Sequence, residues 1–159
     1  MIFVVLGTQD KSFKRLLMAI EDHIKKGNIK QKVVVQAGHT IYKSDYMDVL
    51  DFIPMKEFNQ YIKKSDLIIT HGGVGTILDS LKEGKKVIAV PRLKEYAEHE
   101  NNHQLQIIEQ FEQEGYIISC LKLENLDQKI EEIQTFEPKK YIGDNQKMIQ
   151  IITNYIDQI

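Results

Sequence analysis

Ser65-Asp66-Leu67-Ile68-Ile69-Thr70-His71-Gly72-Gly73-Val74-Gly75-Thr76 decides the reading of this chain. Leu67-Ile68-Ile69 is a continuous apolar run, the pattern of a strand buried on both faces. Three glycines and Thr76 follow, and Val74–Glu83 reads as a helix closed by Gly84. The free N–H groups that open such a helix, with the positive end of its dipole, form an anion site. Glycine lets the backbone come close to a ligand. A diphosphate fits that description. The glycines alone leave a second reading open, a tight strand-to-helix turn that holds nothing.

The same alternation extends in both directions. Strands are expected at Ile2–Leu6, Lys32–Gln36, Val49–Phe52, Leu67–Thr70, Val87–Val90 and Tyr116–Ser119. Helices are expected at Ser12–Lys26, Lys56–Lys64, Val74–Glu83, Glu98–Gln113, Leu126–Ile133 and Asp144–Ile156. Ser12, Phe13, Leu16, Leu17, Ile20 and Ile24 give the first helix a core-facing stripe at helical spacing. Gly27-Asn28, Gly84 and Gly115 stand where helices should stop. Strands alternating with helices imply an α/β fold, a Rossmann-like parallel sheet with helices on both faces. The chain shows no internal repeat, low-complexity tract or linker, so residues 1–159 read as one domain.

Composition excludes several classes. The 159 residues are 42% hydrophobic and 28% charged, as in globular proteins. Lys plus Arg number 21 and Asp plus Glu 23, for a net charge of −2. No basic excess is available to offset phosphates, which argues against nucleic acid as a partner. Cys120 is the single cysteine, so no internal disulfide can form and a reducing compartment is expected. Met1–Gly7 has no basic region or cleavage site and reads as a strand, not a signal peptide. No apolar run approaches the roughly 20 residues that span a bilayer. Membrane association would then come through a partner or at the surface.

Ligands of open parallel sheets bind at the carboxyl ends of the strands, near the point where strand order reverses. Gly7-Thr8-Gln9, His71–Thr76 and Pro91–Gln104 leave strands there. Two familiar phosphate motifs fail. The dinucleotide fingerprint needs a third glycine at position 78, which is Leu78; a P-loop ending at Gly84-Lys85 needs glycine at position 79, which is Asp79. Lys85-Lys86 then reads as a solvated turn. His99-Glu100-Asn101-Asn102-His103 matches H-E-x-x-H. On a helix its two imidazoles would share a face and could hold Zn²⁺ with Glu100 as base, a hydrolase reading. The other reading is a polar, solvated helix start.

A family resemblance rests on several motifs taken in order. They are Ile2–Thr8 with Phe13-Lys14-Arg15-Leu16, Val35–Thr40, Ser65–Thr76, Pro91-Arg92, and His99 through Gln104. Together they resemble the C-terminal, donor-binding half of glycosyltransferase family 28. Within it, the likeness is to small soluble catalytic subunits of two-part UDP-GlcNAc transferases of dolichol-linked oligosaccharide synthesis. Bacterial relatives of these serve capsule and exopolysaccharide assembly. The resemblance implies a GT-B-type donor domain whose acceptor half is fused upstream or supplied by a membrane-anchored subunit. The first strand begins at Ile2, so the expectation is half of an enzyme.

The same resemblance assigns roles. Gly72, Gly73, Gly75 and Thr76 would hold the nucleotide diphosphate, with Gly7 and Thr8 facing it from the first loop. Asp79 stands where the family has an acid on the ribose hydroxyls. His71 would bond a phosphate or cap the turn. Phe52 to Met55 would pack on uracil or serve as ordinary core. His99 and Glu100 fall where relatives carry an acidic–Gln pair that grips the sugar, and His103 and Gln104 where they carry Asn-Ala. These identities depart from the family pattern, so they do not name the sugar.

The implied reaction is inverting transfer from a UDP-sugar, a substrate, to a lipid-linked saccharide, with no cofactor. The chain has no Asp-x-Asp motif, so backbone N–H groups rather than a metal would stabilise departing UDP. The general base would come from the acceptor half. The expected location is cytoplasmic, peripheral at the inner face of the membrane through the partner. Met148, Ile151, Ile152, Tyr155, Ile156 and Ile159 of the last helix are the expected contact surface. A competing class is a non-catalytic partner that binds nucleotide or stabilises another transferase.

Overall fold

The computed structural model describes residues 1–99, 101–142, 149–150 and 152–153. Six strands are β1 (Ile2–Val5), β2 (Val33–Gln36), β3 (Asp48–Leu50), β4 (Leu67–Thr70), β5 (Lys86–Ala89) and β6 (Ile118–Ser119). The helices that alternate with them are α1 (Lys14–Lys25), α2 (Met55–Lys64), α3 (Val74–Lys82), α4 (His103–Gln113) and α5 (Leu126–Thr135). Single 3-10 turns sit at Lys94–Tyr96 and Leu123–Asn125.

The sheet runs in the order β3-β2-β1-β4-β5-β6, and every pairing is parallel. The chain winds outward from β1 to β3, returns to the middle at β4, and winds the other way. β1 and β4 therefore flank the switch point, with Val5 opposite Thr70. Their carboxyl ends release the Gly7 loop and the His71 loop side by side.

Alternation along β1 divides the core into two layers. Ile2 and Val4 pack with Leu16, Leu17 and Ile20 of α1 and Leu126, Ile130 and Ile133 of α5. Phe3 and Val5 pack with Phe58 and Ile62 of α2, Ile77 and Leu81 of α3 and Ile107, Ile108 and Phe111 of α4. Phe3 meets Phe58 edge-on, with ring centroids 5.4 Å apart, and stacks on Tyr61 at 5.3 Å. Both sheet faces are covered, as the apolar runs required.

Several boundaries differ from the sequence reading. The first helix starts at Lys14, not Ser12, because the Phe13 N–H donates to Thr40 Oγ1 at 3.0 Å and leaves the helical path. Ser12 is exposed, so it is not part of the buried stripe. The third strand shifts back to Asp48–Leu50, because the chain bends at Asp51 and leaves the ladder before Phe52. Glu98, His99, Asn101 and Asn102 are not helical; α4 begins at His103. In the expected helix Asp144–Ile156, only Ile149, Gln150, Ile152 and Thr153 are described, all helical. Ile152 packs on the α2–α4 core layer. Met148, Ile151, Tyr155, Ile156 and Ile159 lie outside the described residues, and so does the interface expectation placed on them. Among the described residues, no helix is long and apolar enough to cross a membrane.

Candidate functional site

A cleft of about 430 Å³ opens at the switch point. Gly7, Thr8 and Gln9 line it from the end of β1, and His71, Gly73, Gly75, Thr76 and Asp79 from the β4–α3 turn and α3. Gln36, Phe52, Ile53, Met55 and Phe58 close the opposite wall. Seven of the expected site residues thus share one cavity, although Gly7 and His71 are 64 positions apart.

The α3 helix begins at Val74 with Gly73 as its extended N-terminal flank. Its first intrahelical bond runs from Ile77 N–H to Gly73 O at 3.1 Å. The N–H groups before Ile77 have no partner within the helix. They face the cleft that Gly73, Gly75 and Thr76 line, the geometry of an anion site. Asp79 sits one turn further along, on the same wall.

His71 is the floor of this cleft. Its ring lies between two glycines: a Cβ at Gly7 would meet Nε2 at 2.5 Å, and one at Gly73 would meet it at 2.7 Å. No larger residue fits at either position without displacing the ring. Gly72 packs beneath, against Ile108 of α4. Burial, reinforced by the positive charge of Arg92 and by His99, pushes the His71 pKa down to about 3. The ring is therefore neutral wherever the protein works near neutral pH.

That shift has a stability consequence. The unfolded chain takes up the His71 proton near pH 6.5, and the folded chain does not. The contribution is complete above pH 6.5 and is lost as pH falls toward 3. Between pH 6.5 and pH 5 the loss amounts to about 2 kcal/mol. Urea titrations of the wild type and His71→Asn across this range are expected to show a shallower pH slope in the variant. Equal slopes would refute the buried neutral imidazole.

Behind His71 lies a buried cation the sequence reading did not anticipate. Arg92, 1% exposed, donates from Nη2 to Leu6 O at 2.6 Å and from Nη1 to Lys11 O at 2.7 Å and Glu98 O at 3.2 Å. Burial lowers its pKa to about 10, so it stays charged. Glu98 accepts from Arg15 at both oxygens, 2.9 and 3.0 Å, and from the Leu93 N–H at 3.2 Å. This network ties the Gly7 loop to the Pro91–Gln104 segment. Ala97 takes a left-handed conformation, φ 56°, to close the turn. The only sequence signal was Arg92 in the quoted Pro91-Arg92 pair; nothing marked it as buried.

The remaining expected residues divide. Gln104 is buried behind His71. His103 opens α4, half-buried, and does not line the cleft. His99 precedes the helix, where its Nδ1 accepts the Asn101 N–H at 3.2 Å. The two histidines of H-E-x-x-H are thus not on one helix, so the zinc-hydrolase geometry is not formed; Glu100 lies outside the described residues. Phe52 and Met55 are 53% and 67% exposed at the cleft mouth, not core. Gln36, at the end of β2, was missed as a wall residue, though it stands in the quoted Val35–Thr40 stretch.

Comparison with known proteins bears on the family and the fold. The chain is 36% identical over 81 residues to UDP-N-acetylglucosamine transferase subunit ALG13 of Candida albicans, which covers 51% of this chain and 26% of that protein. Against the human protein of that name it is 29% identical over 128 residues, 75% of this chain and 11% of the relative. The chain spans about a quarter of the Candida relative and about a tenth of the human one. A solution NMR structure of ALG13 superposes with a TM-score of 0.61 at 21% identity, covering 95% of this chain and 93% of that one. The model of the glycosyltransferase family 28 C-terminal domain matches residues 1–159, and the chain belongs to that family.

Proposed function

We propose that this chain is the donor-binding, catalytic subunit of a two-component glycosyltransferase that takes a UDP-sugar, UDP-GlcNAc by analogy with its named relatives. The observation that carries the reading is the convergence of the glycine turn, the α3 N-terminus and Asp79 on one cleft at the switch point. The α3 N–H groups, with Gly7 and Thr8 opposite, cradle the diphosphate. Asp79 accepts from the ribose hydroxyls. Phe52 and Met55 offer the uracil an apolar wall.

Transfer breaks the bond between the anomeric carbon and the diphosphate oxygen, and UDP leaves with the electron pair. The N–H groups of α3 and the buried charge of Arg92 stabilise the growing negative charge, without a cofactor. The acceptor hydroxyl attacks the opposite face with inversion and gives its proton to a general base. That base, the lipid-linked saccharide and the membrane anchor belong to a partner subunit, with this chain held peripherally at the cytoplasmic face. The capsule and exopolysaccharide setting rests on the sequence resemblance alone; the relatives' names speak of UDP-N-acetylglucosamine transfer.

Calorimetric titration with UDP and UMP tests the donor site, and reconstitution with the partner tests the division of labour. UDP is expected to bind more tightly than UMP. Asp79→Ala is expected to weaken UDP by roughly 10- to 150-fold, the loss of a hydrogen bond to a charged group. Transfer is expected only with the partner present. Equal affinity for UDP and UMP would remove the diphosphate site. Turnover by the single chain on a soluble acceptor would remove the partner requirement. UDP binding without transfer in the reconstituted pair would favour a non-catalytic subunit.

A further inference from the structure

Gln104, the second residue of α4, is 2% exposed and bridges two loops of the site. Its Oε1 accepts the backbone N–H of Arg92 at 3.1 Å, and its Nε2 lies 3.4 Å from His71 Nδ1. A backbone N–H only donates, so the amide oxygen must face Arg92. The amide NH₂ then faces His71 and donates to Nδ1. A ring nitrogen that accepts carries no proton, so the single proton of the neutral imidazole is on Nε2. Nε2 is the atom between Gly7 and Gly73, on the cleft side of the ring.

We infer that Gln104 is a positioning residue: anchored by the Arg92 backbone, it fixes His71 as an Nε2–H donor toward the diphosphate of the bound nucleotide. The tautomer is independent of the donor-binding reading; the ligand rests on it. The direction of the proton matters because a bare Nε2 would set its lone pair against phosphate oxygens. Burial keeps the ring from taking the second proton that would make both nitrogens donors. Arg92 thus acts twice, its guanidinium holding three carbonyls and its N–H orienting Gln104.

The test pairs imidazole ¹⁵N NMR of the full chain with calorimetric titration of UDP and uridine. In the ligand-free wild type, His71 is expected to show a protonated Nε2 and an unprotonated Nδ1. Gln104→Glu replaces the donor with an acceptor and is expected to move the proton to Nδ1. UDP should then weaken by roughly tenfold or more while uridine is unchanged, because one hydrogen bond to a charged group is lost. Gln104→Met, which cannot donate, should give mixed tautomers and an intermediate loss. A purely packing role would weaken uridine and UDP alike. A wild-type ring protonated at Nδ1 would overturn the inference, as would an unchanged UDP-to-uridine ratio in both variants. If Gln104→Glu does not fold, the wild-type tautomer and the Gln104→Met ratio decide. A wild type that binds no UDP would end the donor-binding reading and the diphosphate role, while the NMR arm still judges the tautomer.

Discussion

Arg92→Met is expected to destabilise the protein by about 3–5 kcal/mol, with a fall in melting temperature of roughly 10 °C. The guanidinium holds the carbonyls of Leu6, Lys11 and Glu98, and its charge lies 5.1 Å from the Phe13 ring centroid. Methionine fills similar volume but leaves those oxygens without donors in the interior, at about 1–3 kcal/mol each before relaxation. The carbonyls belong to two stretches far apart in sequence, the loop after β1 and the segment around Glu98, so local repacking cannot recover them together. Urea unfolding measures the effect. A loss below about 1 kcal/mol would mean that water reaches the carbonyls and that Arg92 does not tie the loops together.

Gly7→Ala is expected to lower stability by about 2–4 kcal/mol and UDP affinity by at least about tenfold. Alanine in the left-handed region costs roughly 1–2 kcal/mol. At φ 80° its Cβ also stands 2.5 Å from His71 Nε2, so the ring must move. Gly75→Ala separates the causes. Nothing lies within 4 Å of a Cβ there, and the residue is inside α3. Its stability is expected to hold or rise by up to about 1 kcal/mol. Any loss of UDP affinity at Gly75 then reports close approach of the ligand to the backbone. Unchanged stability and affinity in Gly7→Ala would show that the ring is free to swing aside.

The sheet was legible because its inner strands are apolar on both faces. Val33-Val34-Val35 and Leu67-Ile68-Ile69 admit little else, and both are fully buried. The glycine turn was legible for a local reason: a strand, three glycines and a helix follow one another directly. What stayed hidden depends on partners distant in sequence. Ser12 could not announce that Thr40 would take the next N–H, 27 residues away. Glu98 looked like a helix start, but Arg15, 83 residues distant, draws its carboxylate into the interior. The chain therefore turns at Ala97 and delays α4 to His103. His99 and His103 looked like a pair at helical spacing only while that helix was assumed. Arg92 was invisible as a core residue because arginine is rarely buried, and no short pattern records three carbonyls converging from elsewhere.

The ring of His71 occupies room that Gly7 and Gly73 leave vacant, and this couples the first loop to the β4–α3 turn in evolution. A lineage that keeps the ring cannot sample larger side chains at positions 7 or 73. One that first exchanges the imidazole for a smaller group releases position 73 and forfeits the donor at the cleft floor, while position 7 still favours glycine for its positive φ. The order of substitution then governs which sequences are reachable. Changes at Gly73 are deleterious before position 71 has changed and tolerable after it, so that pair's history can run through position 71 first but not readily the other way.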